Sequence, residues 1–160
     1  MGMLCAAAWL SLLCISMAHA GVFTDGDRVM LQYGPYVAHF DDNSGHNQWP
    51  HLFGVEWESG SHWLLGAVAF KNSYNQQSAY AYAGRRWFLE QVNPNVYFKL
   101  SAGLIYGYKD QYEDRLPVND NGYGLGVVPA FGYQFGRANA QIVLLGTAAV
   151  TFTFGYDFWQ

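Results

Sequence analysis

Near the end of this 160-residue chain, Val150, Phe152, Phe154, Tyr156 and Phe158 alternate with Thr151, Thr153, Gly155 and Asp157. A period of two sends successive side chains to opposite faces of a strand, which no helix can do. Here one face is wholly apolar and largely aromatic, while the other is small or polar. That is the pattern of a barrel strand with lipid outside. The stretch 98–108 repeats it: Phe98, Leu100, Ala102, Leu104, Tyr106 and Tyr108 alternate with Lys99, Ser101, Gly103, Ile105 and Gly107.

Eight such segments are expected, at 28–40, 51–58, 62–71, 78–89, 96–108, 122–135, 139–145 and 149–158. The joins alternate in character. "ESGSH", "NPN" and "GRAN" are tight turn sequences, while "DDNSGHNQWP", "NSYNQQ" and "KDQYEDRLPVND" are long and polar. Only the last join, near Gly146, is short where a long one is due. Tight turns at one end and long loops at the other predict an all-β fold, an eight-stranded antiparallel transmembrane β-barrel of the outer membrane. An even strand number closes the sheet and removes its edges. Composition agrees: only 12% of residues are charged and 18% are aromatic, against about 25% charged in soluble domains. The tyrosines and tryptophans suit interfacial girdles, and glycines such as Gly103 and Gly126 suit bends or close approaches. A net charge of −4 offers no footprint for nucleic acid.

The first 20 residues, "MGMLCAAAWLSLLCISMAHA", combine an apolar centre with Ala18-His19-Ala20 before Gly21. This reads as a signal peptide over 1–20, ahead of a barrel over 21–160. Both cysteines, Cys5 and Cys14, fall inside it. The mature chain would then have neither disulfides nor thiol metal ligands.

Segments such as "WLLGAVAF" and "IVLL" are apolar on both faces. An eight-stranded barrel is only wide enough inside for side chains or one small ligand. An apolar interior is either simple packing or room for a hydrocarbon chain, and neither is an aqueous channel. Lys99, Arg85 and Arg86 are the mid-strand cations, and anchoring at the membrane interface is the simplest reading of them.

Few residues remain that could carry chemistry. Among the histidines after residue 20, His46, His51 and His62 fall in or beside connections and read as solvated. No pair has a metal-ligand spacing, so neither a metal nor a cofactor is expected. His39 ends the first segment and Ser73 follows the third, and both segments run towards the long-loop end. His39 offers a general base and Ser73 a hydroxyl to activate. An ordinary turn explains Asn72-Ser73 equally well on spacing alone.

"AFKNSYNQ" resembles the "AFKDSWN" segment of the lipid A palmitoyltransferase (PagP) family. The chain is similar to a divergent proteobacterial branch of that family through "GVEWE" (54–58), "NSYNQQSAYAYAGRRW" (72–87), "GLIYGYKDQYEDRLP" (103–117), "VVPAFGYQFGR" (127–137) and "LLGTA" (144–148), over about residues 33 to 158. The resemblance implies an eight-stranded outer-membrane barrel. It also implies an acyltransferase that moves a palmitoyl chain from a phospholipid donor to a lipid A acceptor in the outer leaflet, without a cofactor. A monomer among membrane lipids is expected, with its catalytic face extracellular. The catalytic residues carried over are His39, Ser73 and Asn72. Gly84 falls where the family sets the floor of its acyl pocket. Lateral lipid entry at prolines points to Pro35, Pro50 or Pro129.

The chain departs from the family in three places. Asn72 stands where the family has an aspartate, so a substitute carboxylate is expected from Asp41, Asp42 or Asp110. "GVFTDGDRVM" is too short and polar for the family's N-terminal amphipathic helix. The chain ends "DFWQ", past the usual terminal aromatic residue. The alternative function is a non-enzymatic small barrel, a surface binding or structural protein. A lipid A deacylase would need a late His-x-Ser motif, and no histidine follows His62. A solute transporter would need a polar lumen.

Overall fold

The computed structural model describes residues 24–40, 45–109 and 120–160. The expected signal peptide and the candidates Asp41, Asp42 and Asp110 lie outside these. The described residues form strands β1 (Arg28–His39), β2 (Leu52–Glu58), β3 (Trp63–Lys71), β4 (Gln77–Phe88), β5 (Val96–Tyr106), β6 (Tyr123–Phe135), β7 (Ala138–Leu145) and β8 (Ala149–Trp159). Each pairs antiparallel with its sequence neighbours, and β1 pairs with β8, so the sheet closes into an eight-stranded barrel. Closure leaves no edge to template aggregation.

The alternation sorts the faces as the sequence implies. Phe152, Phe154, Tyr156 and Phe158 project outward and are exposed, as are Leu65, Leu100, Leu104, Leu125, Val127, Phe131 and Ile142. The outer wall is thus an apolar belt far broader than a lone soluble domain normally shows. Near the tight-turn end Arg85 also points outward, its guanidinium 5.3 Å from the Trp63 ring and 5.8 Å from the Trp87 ring.

The interior divides in two. Towards the long loops it is uncharged and largely apolar: Val68 and Tyr80 are buried among Leu52, Phe70, Ile105 and Val128, with Ser78, Thr151 and Thr153 also buried there. Towards the tight turns it is charged, which corrects the expectation of an apolar interior throughout. Lys99 Nζ sits 2.9 Å from Glu56 Oε2, Arg86 bridges Glu56 and Glu58 at 3.4 and 3.1 Å, and Arg28 reaches Glu58 at 2.7 Å and Asp157 at 3.7 Å. Lys99 and Arg86 are buried and face inward, so they are not interfacial anchors. The reason is strand parity. Arg86 shares its face with Tyr80 and Tyr82, and Lys99 shares its face with Ser101. Three inward cations, Arg28, Arg86 and Lys99, meet three inward carboxylates, Glu56, Glu58 and Asp157. Buried charges persist only when paired and hydrogen-bonded in this way.

Between the halves lies a tyrosine platform. The Tyr80 and Tyr82 rings stack at 4.9 Å. Tyr82 donates to Glu56 Oε2 at 2.6 Å and accepts from Gln32 at 2.8 Å, and Tyr80 donates to Ser101 at 3.2 Å. Gly66 makes room for it, since a β-carbon there would overlap the Tyr82 ring.

Candidate active site

His39 owes its position to one irregularity in β1. Before it, Met30, Gln32 and Gly34 face inward and are buried. Continued at period two, that count would turn His39 outward. The β1–β8 register shifts between Tyr33 and Tyr36: Tyr33 pairs Phe154 and Tyr36 pairs Phe152. One extra residue on β1 makes a bulge, and a one-residue slip exchanges the two faces of a strand. Beyond it Val37 and His39 pair with the inward residues Thr151 and Ala149. Pro35 lies in this bulge, where its missing N–H costs no ladder bond.

Ser73 arrives by a turn. Lys71 ends β3, and Asn72 folds the chain back: its Oδ1 accepts from Tyr74 N at 2.9 Å and Gln76 N at 3.0 Å. Its Nδ2 donates to Gln76 Oε1 at 3.2 Å and Gly107 O at 3.3 Å. Such an Asx turn is local backbone chemistry. The turn carries Ser73 to the inner rim, where Ser73 Oγ lies 2.7 Å from His39 Nε2. In the tautomer with Nε2 as acceptor, the hydroxyl donates to the imidazole, the arrangement of a nucleophile beside its base.

Three expectations are thereby sorted. His39 and Ser73 are brought together. Asn72 is buried beside them, but both ends of its amide are committed to the turn and to Gly107, so it does not orient the imidazole. Gly84 faces inward but lies beyond Tyr80 and Tyr82 on β4, on the far side of the platform from the dyad. A β-carbon there would overlap Leu100 O of β5, so close strand approach already accounts for this glycine.

One site residue escapes the sequence reading. His46, expected to be solvated, is half-buried, its ring centroid 4.7 Å from that of His39 and 5.4 Å from Tyr74. Asn47 pins this segment to the Ser73 turn: its N–H donates to Ser73 O at 2.8 Å, and its side chain donates to Asn72 O at 3.3 Å. Tyr74 stands 6.4 Å from Tyr108. Burial first, and then the neighbouring Tyr74, push the Tyr108 phenol up to about 12, so it is a neutral wall of the site at ordinary pH. Loop histidines have no periodicity to betray them; only the closeness of 45–47 to the turn in space does so. His51 is exposed, and His62 lies at the opposite end, 2.7 Å from Glu58.

The prolines flank breaks in the ladders. β6 pairs β7 only from Ala130↔Val143 to Phe135↔Ala138, so 123–129 has no ladder partner in β7, and Pro129 sits at the end of that gap. β1 pairs β2 only as far as Gly34↔Leu52, next to Pro35 and Pro50.

Among the described residues no cluster of three or more histidine, cysteine or acidic side chains could hold a metal. No protein-family model matches the chain, and no curated protein matches it.

Proposed function

We propose that this chain is an outer-membrane acyltransferase of Gram-negative bacteria that moves a palmitoyl chain from a phospholipid to lipid A in the outer leaflet. The observation that carries the reading is the 2.7 Å contact of His39 Nε2 with Ser73 Oγ at the long-loop rim. It stands above an uncharged, largely apolar upper interior, inside a barrel whose outer wall is apolar. An apolar belt on a closed barrel suits a bilayer. Tight turns would then face the periplasm and the long loops the cell exterior, which puts the dyad beside the outer leaflet. The ladder gaps at Pro129 and at Pro35 and Pro50 support lateral entry of lipid from that leaflet.

The chemistry follows from the dyad. His39 takes the Ser73 proton as Ser73 Oγ attacks the donor's ester carbonyl carbon. The ester C–O bond breaks, and the lysophospholipid oxygen leaves with the proton held by His39. A lipid A hydroxyl then gives its proton to His39 and attacks the acyl-serine. The Ser73–acyl bond breaks, and Ser73 regains a proton. The imidazolium needs a carboxylate that Asn72 does not supply, and Asp41, Asp42 and Asp110 are the proposed sources. Single Asn variants at these positions that all keep full activity would remove that part of the proposal.

Purified protein in detergent micelles, given phospholipid labelled in its acyl chain together with lipid A, should transfer label to lipid A. His39→Asn should abolish the transfer. Label that stays on the phospholipid, with the barrel folded, would point instead to the binding or structural reading.

A further inference from the structure

Acyl transfer by a Ser-His pair raises negative charge on the carbonyl oxygen, and a donor aimed at that oxygen is commonly the largest single contribution to such catalysis. Backbone N–H groups next to the nucleophile are the usual source. Here those that follow Ser73 are spent. Tyr74 N and Gln76 N donate to Asn72 Oδ1, and Asn75 N donates to Asn72 O at 3.0 Å. Asn72 thus builds the turn and consumes the donors at once.

His46 is differently placed. Its Nδ1 is buried and has no hydrogen-bond partner among the described residues. A buried polar atom left unpaired costs roughly 1–3 kcal/mol and calls for a reason, such as a ligand or a catalytic role. The ring that carries it is fixed on both sides, tilted against His39 at 4.7 Å and edge-on to Tyr74 at 5.4 Å. The bond from Asn47 N to Ser73 O ties the same segment to the nucleophile's own carbonyl. A firmly held ring nitrogen without a partner, beside a dyad whose following backbone donors are occupied, has the makings of an oxyanion donor in its Nδ1–H tautomer.

We propose that His46, through Nδ1–H, donates the hydrogen bond that stabilises the oxyanion in acyl transfer at Ser73. The inference rests on the acyltransferase reading. As Ser73 Oγ bonds the carbonyl carbon, the C=O π pair moves onto the oxygen. His46 Nδ1–H bonds it there and keeps its own proton. When the C=O re-forms and the lysophospholipid oxygen departs, the bond to His46 weakens. The same contact serves the second half-reaction, on the acyl-serine.

The test compares wild type, His46→Phe and His46→Gln in detergent micelles with labelled phospholipid and lipid A. Phe keeps an aromatic ring against His39 and Tyr74 but cannot donate, whereas Gln donates without a ring. Retention of the folded, SDS-resistant gel band is required of each. The expected result is a kcat about 100-fold lower for His46→Phe with KM within about two-fold, and a substantial recovery of kcat in His46→Gln. Wild-type kcat in His46→Phe overturns the proposal, because stacking alone would then suffice. A raised KM with unchanged kcat also overturns it, since that marks ground-state binding. A wild-type protein that transfers no label fails one step earlier: it removes the acyltransferase reading and this inference with it. If both variants lose the folded band, the same comparison is made with His46→Asn and His46→Tyr.

Discussion

Asn72 and Ser73 are adjacent in the chain and separate in role. Asn72 shapes the turn through four hydrogen bonds, and Ser73 faces the imidazole of His39. Asn72→Asp would therefore place a charge in a turn already satisfied by an amide, leaving Gly107 O without its donor and Gln76 Oε1 with the Lys109 N–H alone. Such a variant should lose stability by about 1–3 kcal/mol and gain no activity, as read by the unfolding midpoint and by label transfer. A gain in rate would mean that a carboxylate at this position can reach His39 after all. At the tight-turn end, Asp27 illustrates the opposite balance. Desolvation pushes its pKa up, but bonds from Thr24 N, Gly60 N, Thr24 Oγ1 and Trp57 Nε1 outweigh it and hold it below the ordinary value. A depressed folded-state pKa gives stability that is complete above the unfolded value near 3.9 and is lost as pH falls through the folded one. Acid unfolding of wild type should show this loss below about pH 4, and Asp27→Asn should flatten it. Identical acid limbs in the two proteins would contradict the assignment.

At the scale of the element, β1 carries the most consequence. Its bulge decides whether His39 sees the interior or the outer wall. Deleting Pro35 removes the extra residue and sets His39 four positions after the inward Gly34, so a regular period of two keeps His39 inward and the folded variant should retain transfer. Loss of transfer in the folded deletion variant would show that the bulge does more than set the face on which His39 lies. The same element shows what was legible beforehand. Strand limits and the outward aromatics could be read from alternation, because one rule governs every residue of a regular strand. A bulge breaks that rule with a single residue, and its sequence signal, a proline inside a strand, equally marks a ladder gap. The dyad was legible from two strand ends that share a rim together with the resemblance of "AFKNSYNQ" to a known family's segment; His46 was not, because loop proximity leaves no period in the sequence. Lys99 and Arg86 were misread by charge alone, although their parity with Ser101 and Tyr82 places them inside.

For the molecule as a whole, the barrel is built as two compartments with the tyrosine platform between them. The charged half stabilises the closed wall by tying β1, β2, β4, β5 and β8 together through Arg28, Glu56, Glu58, Arg86, Lys99 and Asp157. Removing one member of a buried pair strands its partner, at about 3–5 kcal/mol. Lys99→Met should therefore lower the urea midpoint in lipid vesicles, and Lys99→Met with Glu56→Gln should recover part of the loss. Additive losses would show that the two side chains are not coupled. The apolar half would be where the acyl chain lies. The platform, not Gly84, bounds it, because Tyr80 and Tyr82 come first on β4.

The most direct test of the dyad is made in cells. Wild type and Ser73→Ala are expressed in a Gram-negative host that lacks a lipid A palmitoyltransferase, and lipid A is weighed by mass spectrometry. A working Ser73–His39 dyad gives a palmitoyl increment with wild type and none with Ser73→Ala, both proteins being folded in the outer membrane. An unchanged lipid A mass with folded wild type, or an equal increment with both, would contradict it.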